Sequence, residues 1–159
     1  MSETIISIEG TPSAPQSAPL NSTTSSRQAQ ETKVRVTVRE LISWREFPTA
    51  VDSRRTEKRH PFPYPIFLTP INESRELLVD ETFVVIGKHL SELGVDFYFD
   101  QPLPCRRLVA SFETGESGWL GLDLELTWCR FTRYGLYNNG GRFLQVTDSP
   151  FSGAQLGSG

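Results

Sequence analysis

A run of alternating apolar and polar side chains constrains the fold of this chain more than any other feature. Within residues 119–131, every second central residue is apolar: Leu122, Leu124, Leu126 and Trp128. Side chains two residues apart lie on the same face of a β-strand, so the run predicts a strand with one buried face. The intervening residues Asp123, Glu125 and Thr127 are then expected to face water.

From Tyr64 onward, apolar residues no longer recur at the spacing of a helix. Five further segments have the composition of strands, and they span residues 64–71, 82–89, 95–99, 106–112 and 142–146. Turn-forming residues separate them, including residues 114–118 and 138–141. Six strands joined in this way predict an all-β fold, a small six-stranded antiparallel β-barrel.

Composition predicts two tails outside this barrel. Residues 1–32 contain no aromatic side chain and are rich in Ser, Thr, Pro and Gln, so they bury too little apolar area to offset chain entropy. We expect them to be disordered. Residues 33–52 are predicted to form a short helix and linker, residues 53–148 the barrel, and residues 149–159 a flexible C-terminal tail.

The predicted N-terminal helix has a capping-box pattern at residues 37–40, with Ser/Thr first and Glu fourth. A helix over residues 38–47 would follow and would stop before Pro48. The valines of residues 34–38 alternate as they would in a strand, so a strand remains the alternative for this segment.

Charge is distributed unevenly along the chain. The net charge is −3, yet residues 53–60 carry Arg54, Arg55, Lys58 and Arg59 against Glu57 alone. A duplex-binding protein needs many phosphate contacts and a basic surface, so this balance argues against DNA or RNA as the partner. It favours one compact anionic ligand at one place.

Two short motifs lie on either side of the first two predicted strands of the barrel. Arg55 and Arg59 are four residues apart and directly precede a strand, whereas a second pair, Arg35 and Arg39, lacks that context. Residues 89–94, His-Leu-Ser-Glu-Leu-Gly, follow at the end of the next strand. Together they resemble the two ligand-binding signatures of the PilZ domain, a bacterial receptor domain for cyclic di-GMP. The resemblance extends more loosely over residues 53–148.

The resemblance implies specific roles for the arginines. Arg55 and Arg59 would bind guanine edges and phosphates, with Arg54 adding charge. An arginine fork suits these groups because it pairs with O6 and N7 of guanine and also stacks on bases.

The second motif of the family is D/N-x-S-x-x-G, and this chain departs from it at His89. The resemblance implies that Ser91 offers its hydroxyl to the ligand and that Gly94 permits a positive φ or a close backbone approach. Neutral His89 has one acceptor nitrogen in place of an oxygen with two lone pairs, which weakens or removes this contact.

Two other functions stay open for the same fold. One is a barrel that has lost its ligand and works as a protein-interaction module, with exposed aromatics such as Tyr134 and Tyr137. The other is a single-strand RNA binder with aromatic platforms, against which the net negative charge argues.

No enzyme, cofactor or metal site is predicted. His89, Ser91 and Asp96 suggest a hydrolytic triad, but no nucleophile elbow or oxyanion-hole signature accompanies them. The histidines and cysteines lack metal-ligand spacing. Cys105 and Cys129 are expected to be reduced, half-buried strand residues.

The chain is expected to be cytoplasmic and not inserted in a membrane. Its start is acidic where a signal peptide would be basic, and no apolar run is long enough to span a bilayer. As a receptor without catalysis, it would act on an unidentified protein effector through its N-terminal loop.

Overall fold

Six long antiparallel strands and one N-terminal helix make up the computed structural model, which describes residues 17–43, 58–115 and 118–152, with side chains from residue 24. The elements are α1 Ser17–Ser43, β1 His60–Pro61, β2 Pro65–Pro70, a 3-10 turn Val79–Glu81, β3 Phe83–Leu90, β4 Gly94–Phe99, β5 Arg107–Glu113, β6 Trp119–Phe131 and β7 Tyr137–Thr147.

The six long strands close into a barrel. The pairing runs β3–β2–β5–β6–β7–β4, and β4 pairs again with β3. Two-residue β1 adds to β3 beside His89 and Leu90. The closed six-stranded antiparallel barrel predicted from the sequence is therefore confirmed. Its interior is filled by buried apolar side chains from every long strand, among them Ile66, Leu90, Phe97, Leu108, Phe112, Leu122, Leu124 and Phe143.

Strand β6 follows the predicted alternation only in part. Leu122, Leu124 and Leu126 are buried as expected. Asp123 was predicted to face water, but it is buried. Its Oδ2 accepts hydrogen bonds from Arg107 on β5 (2.7 Å) and from Gln145 on β7 (3.1 Å). A buried carboxylate is tolerated when such partners replace water.

Trp128 was predicted to be buried and is instead exposed. The register of β6 against β7 shifts between Leu126 and Trp128, and β5 pairs with β6 only as far as Glu125. The last part of β6 therefore extends beyond the barrel wall. Alternation of apolar residues in the sequence cannot reveal such a bulge. One inserted residue moves every later side chain to the other face of the strand, so the alternation then predicts the wrong face.

The turn predicted at residues 138–141 is wrong, because these residues lie in β7 and pair with both β4 and β6. The chain instead turns at residues 132–136. The Thr132 amide donates to the Leu136 carbonyl (2.8 Å), and Gly135 has a φ of 80°. Glycine adopts that left-handed conformation without the steric cost that a Cβ would bring.

The N-terminal helix is confirmed, but its bounds differ from the prediction. It runs from Ser17 to Ser43, so it begins within the tail for which disorder was predicted, and Thr37 is an interior residue rather than a cap. Val34, Val38 and Leu41 are fully or almost fully buried, at the spacing of one helix face. Packing on the barrel thus stabilises a helix that its polar first half could not stabilise alone.

The other predictions for the N-terminal part of the chain lie outside the described residues. They are the disorder of residues 1–16 and the predicted helix end at residues 44–47. Within the described chain, no helix has the length and hydrophobicity needed to cross a bilayer.

The segment after β7 is packed where flexibility was predicted. The Ser149 hydroxyl donates to that of Ser111 (2.7 Å), and the Phe151 ring lies 4.9 Å from Trp119 and 5.6 Å from Phe67 between centroids. A flexible tail beginning at residue 149 is therefore wrong for residues 149–152. Residues 153–159 lie outside the described part.

The two cysteines are free, as predicted. Cys105 lies in the loop before β5 rather than in a strand, and it is half-buried. Burial raises the pKa of its thiol, because the thiolate loses solvation. Cys129 lies in β6 and is exposed, contrary to the expectation of half-burial.

Candidate ligand-binding site

Four of the six predicted site residues meet at one open pocket on the outer surface of the barrel. Its volume is about 220 Å³. Arg59 lies just before β1, His89 near the end of β3, Ser91 in the following turn, and Gly94 at the start of β4. Arg54 and Arg55 lie outside the described residues. Of the predicted pair Arg55 and Arg59, the structure therefore describes Arg59 alone.

Arg59 is held by a carboxylate that the sequence interpretation did not assign to the site. Its Nη2 donates to Oδ2 of Asp96 at 2.6 Å and lies 3.3 Å from Nδ1 of His89. Oδ1 of Asp96 accepts a hydrogen bond from the His89 backbone amide at 2.8 Å. Asp96 is buried, and antiparallel pairing places it directly opposite His89.

The Ser91 hydroxyl organises the turn between β3 and β4. Its Oγ accepts from the amides of Leu93 (3.3 Å) and Gly94 (3.2 Å), and the hydroxyl lies 3.3 Å from the Gly94 carbonyl oxygen. The Ser91 amide donates to the same carbonyl at 2.9 Å. Ser91 is buried, so in this arrangement it shapes the turn that borders the pocket.

Gly94 is required for close packing rather than for its backbone angle. Gly135 is the one described glycine with a positive φ. A Cβ added at Gly94 would overlap the carbonyl oxygen of Gly141 on β7. Of the two roles predicted for this glycine, the geometry therefore favours close backbone approach.

Two residues of the pocket wall were missed by the motif analysis, namely Trp128 and Arg142. The Trp128 indole lies over Gly140, where a Cβ would overlap its ring, and the Arg130 guanidinium carbon lies 5.5 Å from the ring centroid. In the sequence, Trp128 stood out only as part of the alternating apolar run, and that run predicted it to lie in the core. Two nitrogens of Arg142 contact one oxygen of Glu125, Oε1, with Nε at 3.0 Å and Nη2 at 2.9 Å.

The pocket therefore combines a flat aromatic ring with two arginines at its rim, each held by a carboxylate. An aromatic ring can stack on a nucleobase of any sequence, and arginine suits phosphate and guanine. The described hydrogen bonds of the Ser91 hydroxyl are all within its own turn, to residues 93 and 94, rather than to His89 or Asp96. Among the described residues no group of three or more His, Cys, Asp or Glu could hold a metal.

A salt bridge connects this turn to helix α1. Nε of Arg39 donates to Oε1 of Glu92 at 2.6 Å, and the carboxylate raises the pKa of the guanidinium by hydrogen bonding and charge. Glu92 lies within the motif turn, between Ser91 and Gly94. The predicted site and the helix are therefore in direct contact.

A larger cavity of about 870 Å³ lies elsewhere on the barrel. It opens between the end of β2, the start of β3 and the end of β4, and Ile71, Phe83 and Phe99 line its apolar part. None of the predicted site residues lines it. The predicted site residues that the structure describes therefore line the smaller of these two cavities.

No family model and no curated protein matches the chain. Two solved structures are similar to it. One is the PilZ domain of YcgR from Escherichia coli with c-di-GMP, at 18% identity and a TM-score of 0.39, covering 66% of this chain and 87% of that one. The other is MrkH, described as a c-di-GMP-dependent transcription regulatory factor, at 14% identity and a TM-score of 0.38.

The match to MrkH covers 60% of this chain and 45% of the MrkH chain, so this chain spans less than half of that protein. At these identities and TM-scores the two similarities carry no argument about family or ligand. The proposal below therefore depends on the residues of the pocket.

Proposed function

We propose that this chain is a PilZ-type receptor for cyclic di-GMP. The observation that carries the proposal is that Arg59, the turn of residues 91–94 and the exposed ring of Trp128 border one pocket. A ligand with two guanines and two phosphates offers a partner for each of these groups. Arg54 and Arg55 would supply further cations from the segment that leads to Arg59.

In this proposal Trp128 stacks on one guanine while arginines hold the phosphates and the guanine edge. Base stacking on an aromatic side chain contributes about 1–3 kcal/mol. Charge-assisted hydrogen bonds from arginine are roughly twice as strong as neutral ones. The mixed stacking and ionic character selects for a nucleotide over a simple phosphate.

Asp96 would take the role that the motif assigns to the residue at position 89. The family position calls for a side-chain oxygen, and His89 has none. Asp96 brings a carboxylate to the same place from the neighbouring strand, with Oδ1 2.8 Å from the His89 amide nitrogen. Its Oδ2, which now accepts from Arg59, would accept from the N–H groups of a guanine when Arg59 turns to the ligand.

The proposed signal is a rearrangement of the chain before the barrel. Arg59 would exchange Asp96 for the ligand, and the neighbouring turn contacts α1 through Glu92 and Arg39. A ligand shifts such an equilibrium only by its difference in affinity for the two arrangements. We propose that a cytoplasmic protein effector senses this difference.

Isothermal titration calorimetry with cyclic di-GMP tests the proposal. Wild type should bind with a Kd around micromolar, which corresponds to about 8 kcal/mol. Arg55→Ala and Arg59→Ala should each cost about 2 kcal/mol or more. Arg133→Ala removes an exposed cation that does not line the pocket and should bind like wild type.

The competing function is a barrel that binds a protein and no nucleotide. Histidine at position 89 and the existing Arg59–Asp96 pair favour it, because both leave fewer free groups for a ligand. No heat at about a millimolar cyclic di-GMP, or unchanged binding by both arginine variants, would reject the receptor in favour of this function.

A further inference from the structure

The end of strand β6 has an unpaired edge. β7 pairs with β6 as far as Phe131, whereas β5 pairs with it only as far as Glu125, and the last bond on that side runs from the Leu126 amide to the Arg106 carbonyl. Within the described chain, no strand lies beside residues 127–131 on the side away from β7. All five residues are exposed.

A small groove runs along this edge. Its volume is about 190 Å³, and it lies between the loop before β5, represented by Leu103 and Cys105, and the β6 residues Leu126 and Cys129. Cys129 and Phe131 are two residues apart and so lie on one face of the strand. The Phe131 side chain is 66% exposed and packs edge to face on Tyr137, at 5.2 Å between ring centroids.

The surface around this edge is basic. Arg130 and Arg133 flank Phe131, and Arg106 borders the groove. No acidic residue occurs between Glu125 and Asp148. Tyr134, at the tip of the same hairpin, is 82% exposed. Arginine and tyrosine are enriched in protein interfaces, where their side chains contribute a large share of the binding energy.

We propose that residues 127–131 form a docking edge for an extended, acidic segment of a partner protein. The segment would add as a strand to β6, so that main-chain hydrogen bonds supply affinity. One apolar side chain would enter the groove beside Cys129, and flanking carboxylates would meet Arg130 and Arg133. This inference does not depend on nucleotide binding.

A second copy of this chain fits the same edge less well. It would bring its own Arg130 and Arg133 close to the same two arginines of the first copy, and like charges across an interface cost free energy. A single-stranded nucleic acid could stack on the aromatics. However, a strand edge presents N–H and C=O groups in the spacing of another polypeptide, and only a polypeptide satisfies both.

The test uses a short peptide of alternating glutamate and valine with a central leucine, and the same peptide with lysine in place of glutamate. Backbone amide shifts of the full chain would be followed by NMR during each titration. We expect saturable shifts at residues 127–131 with the glutamate peptide and at least roughly tenfold weaker binding of the lysine peptide.

The variant Arg130→Glu with Arg133→Glu should reverse this preference. Arg27→Glu with Lys33→Glu changes charge equally on exposed positions of α1 and should leave it unchanged. The spectrum of the barrel core verifies that each variant folds.

Three results would overturn the proposal. The first is peptide-induced shifts that map elsewhere or do not depend on peptide charge. The second is a concentration-dependent dimer in analytical ultracentrifugation that protects residues 127–131, which would assign the edge to a second copy. The third is tighter binding of oligouridylate than of the glutamate peptide, which would assign the surface to nucleic acid.

Discussion

The ion pair between Arg59 and Asp96 should stabilise the barrel more than an exposed pair does. The Asp96 side chain is 5% exposed and that of Arg59 28%, at an N–O distance of 2.6 Å. Removing either partner leaves a poorly hydrated charge, so Asp96→Ala or Arg59→Ala should each cost about 3 kcal/mol. Because the double variant removes both charges, we expect a coupling free energy of about 2 kcal/mol.

Urea denaturation of the wild type, the two single variants and the double variant measures this coupling. The pair of Arg142 with Glu125 provides a matched control, because its side chains are 59% and 33% exposed at 2.9 Å. Its coupling should be below about 1 kcal/mol. A coupling free energy for Arg59–Asp96 no larger than that of the control pair would show that burial does not strengthen this ion pair.

Three further predictions concern binding, packing and thiol chemistry. His89→Asn should tighten cyclic di-GMP binding by about 1 kcal/mol, since an amide oxygen returns to the family's acceptor position; calorimetry showing weaker binding would mean that the imidazole itself contacts the ligand. Leu41→Ala should destabilise the chain by about 2–5 kcal/mol because Leu41 is fully buried, whereas exposed Val36→Ala should change the free energy of unfolding by under about 0.5 kcal/mol; equal effects in urea would contradict docking of α1 on the barrel. Cys129 should react with a disulfide reagent at neutral pH before Cys105, because burial raises the pKa of the Cys105 thiol and lowers its thiolate fraction; comparison of the two single serine variants measures this order.

The strands of the barrel could be predicted from the sequence because their signals are local. Alternation, β-branched content and turn residues set the limits of five predicted strands to within about two residues. The last strand was predicted too short, since Asn-Asn-Gly-Gly at residues 138–141 is turn-forming when considered alone. Pairing with β4 on one side and β6 on the other outweighs that turn preference. Gly140 and Gly141 then allow β6 to pack closely, because an added Cβ would overlap Trp128 or the Glu125 carbonyl oxygen.

The helix shows the same limit of local signals. A capping box at Thr37 is a valid local start, yet Thr37 lies inside a helix that begins twenty residues earlier, at Ser17. The helix is anchored by Val34, Val38 and Leu41, whose partners are supplied by the barrel. Helix propensity is weak compared with tertiary packing, so the composition of residues 17–32 could not decide their structure.

At the candidate site, the two motifs were enough to predict Arg59, His89, Ser91 and Gly94, because each residue lies at a characteristic spacing beside a predicted strand. The folded barrel was needed to show that Asp96 lies opposite His89 and that Trp128 borders the pocket instead of lying in the core. The position of Asp96 depends on the register of the β3–β4 hairpin, which is irregular between Gly87 and His89. The position of Trp128 depends on the bulge between Leu126 and Trp128, which reverses the side on which later residues of β6 project. Residue spacing in the sequence does not reveal either irregularity, because each one is fixed by how the paired strands fit together in the closed barrel.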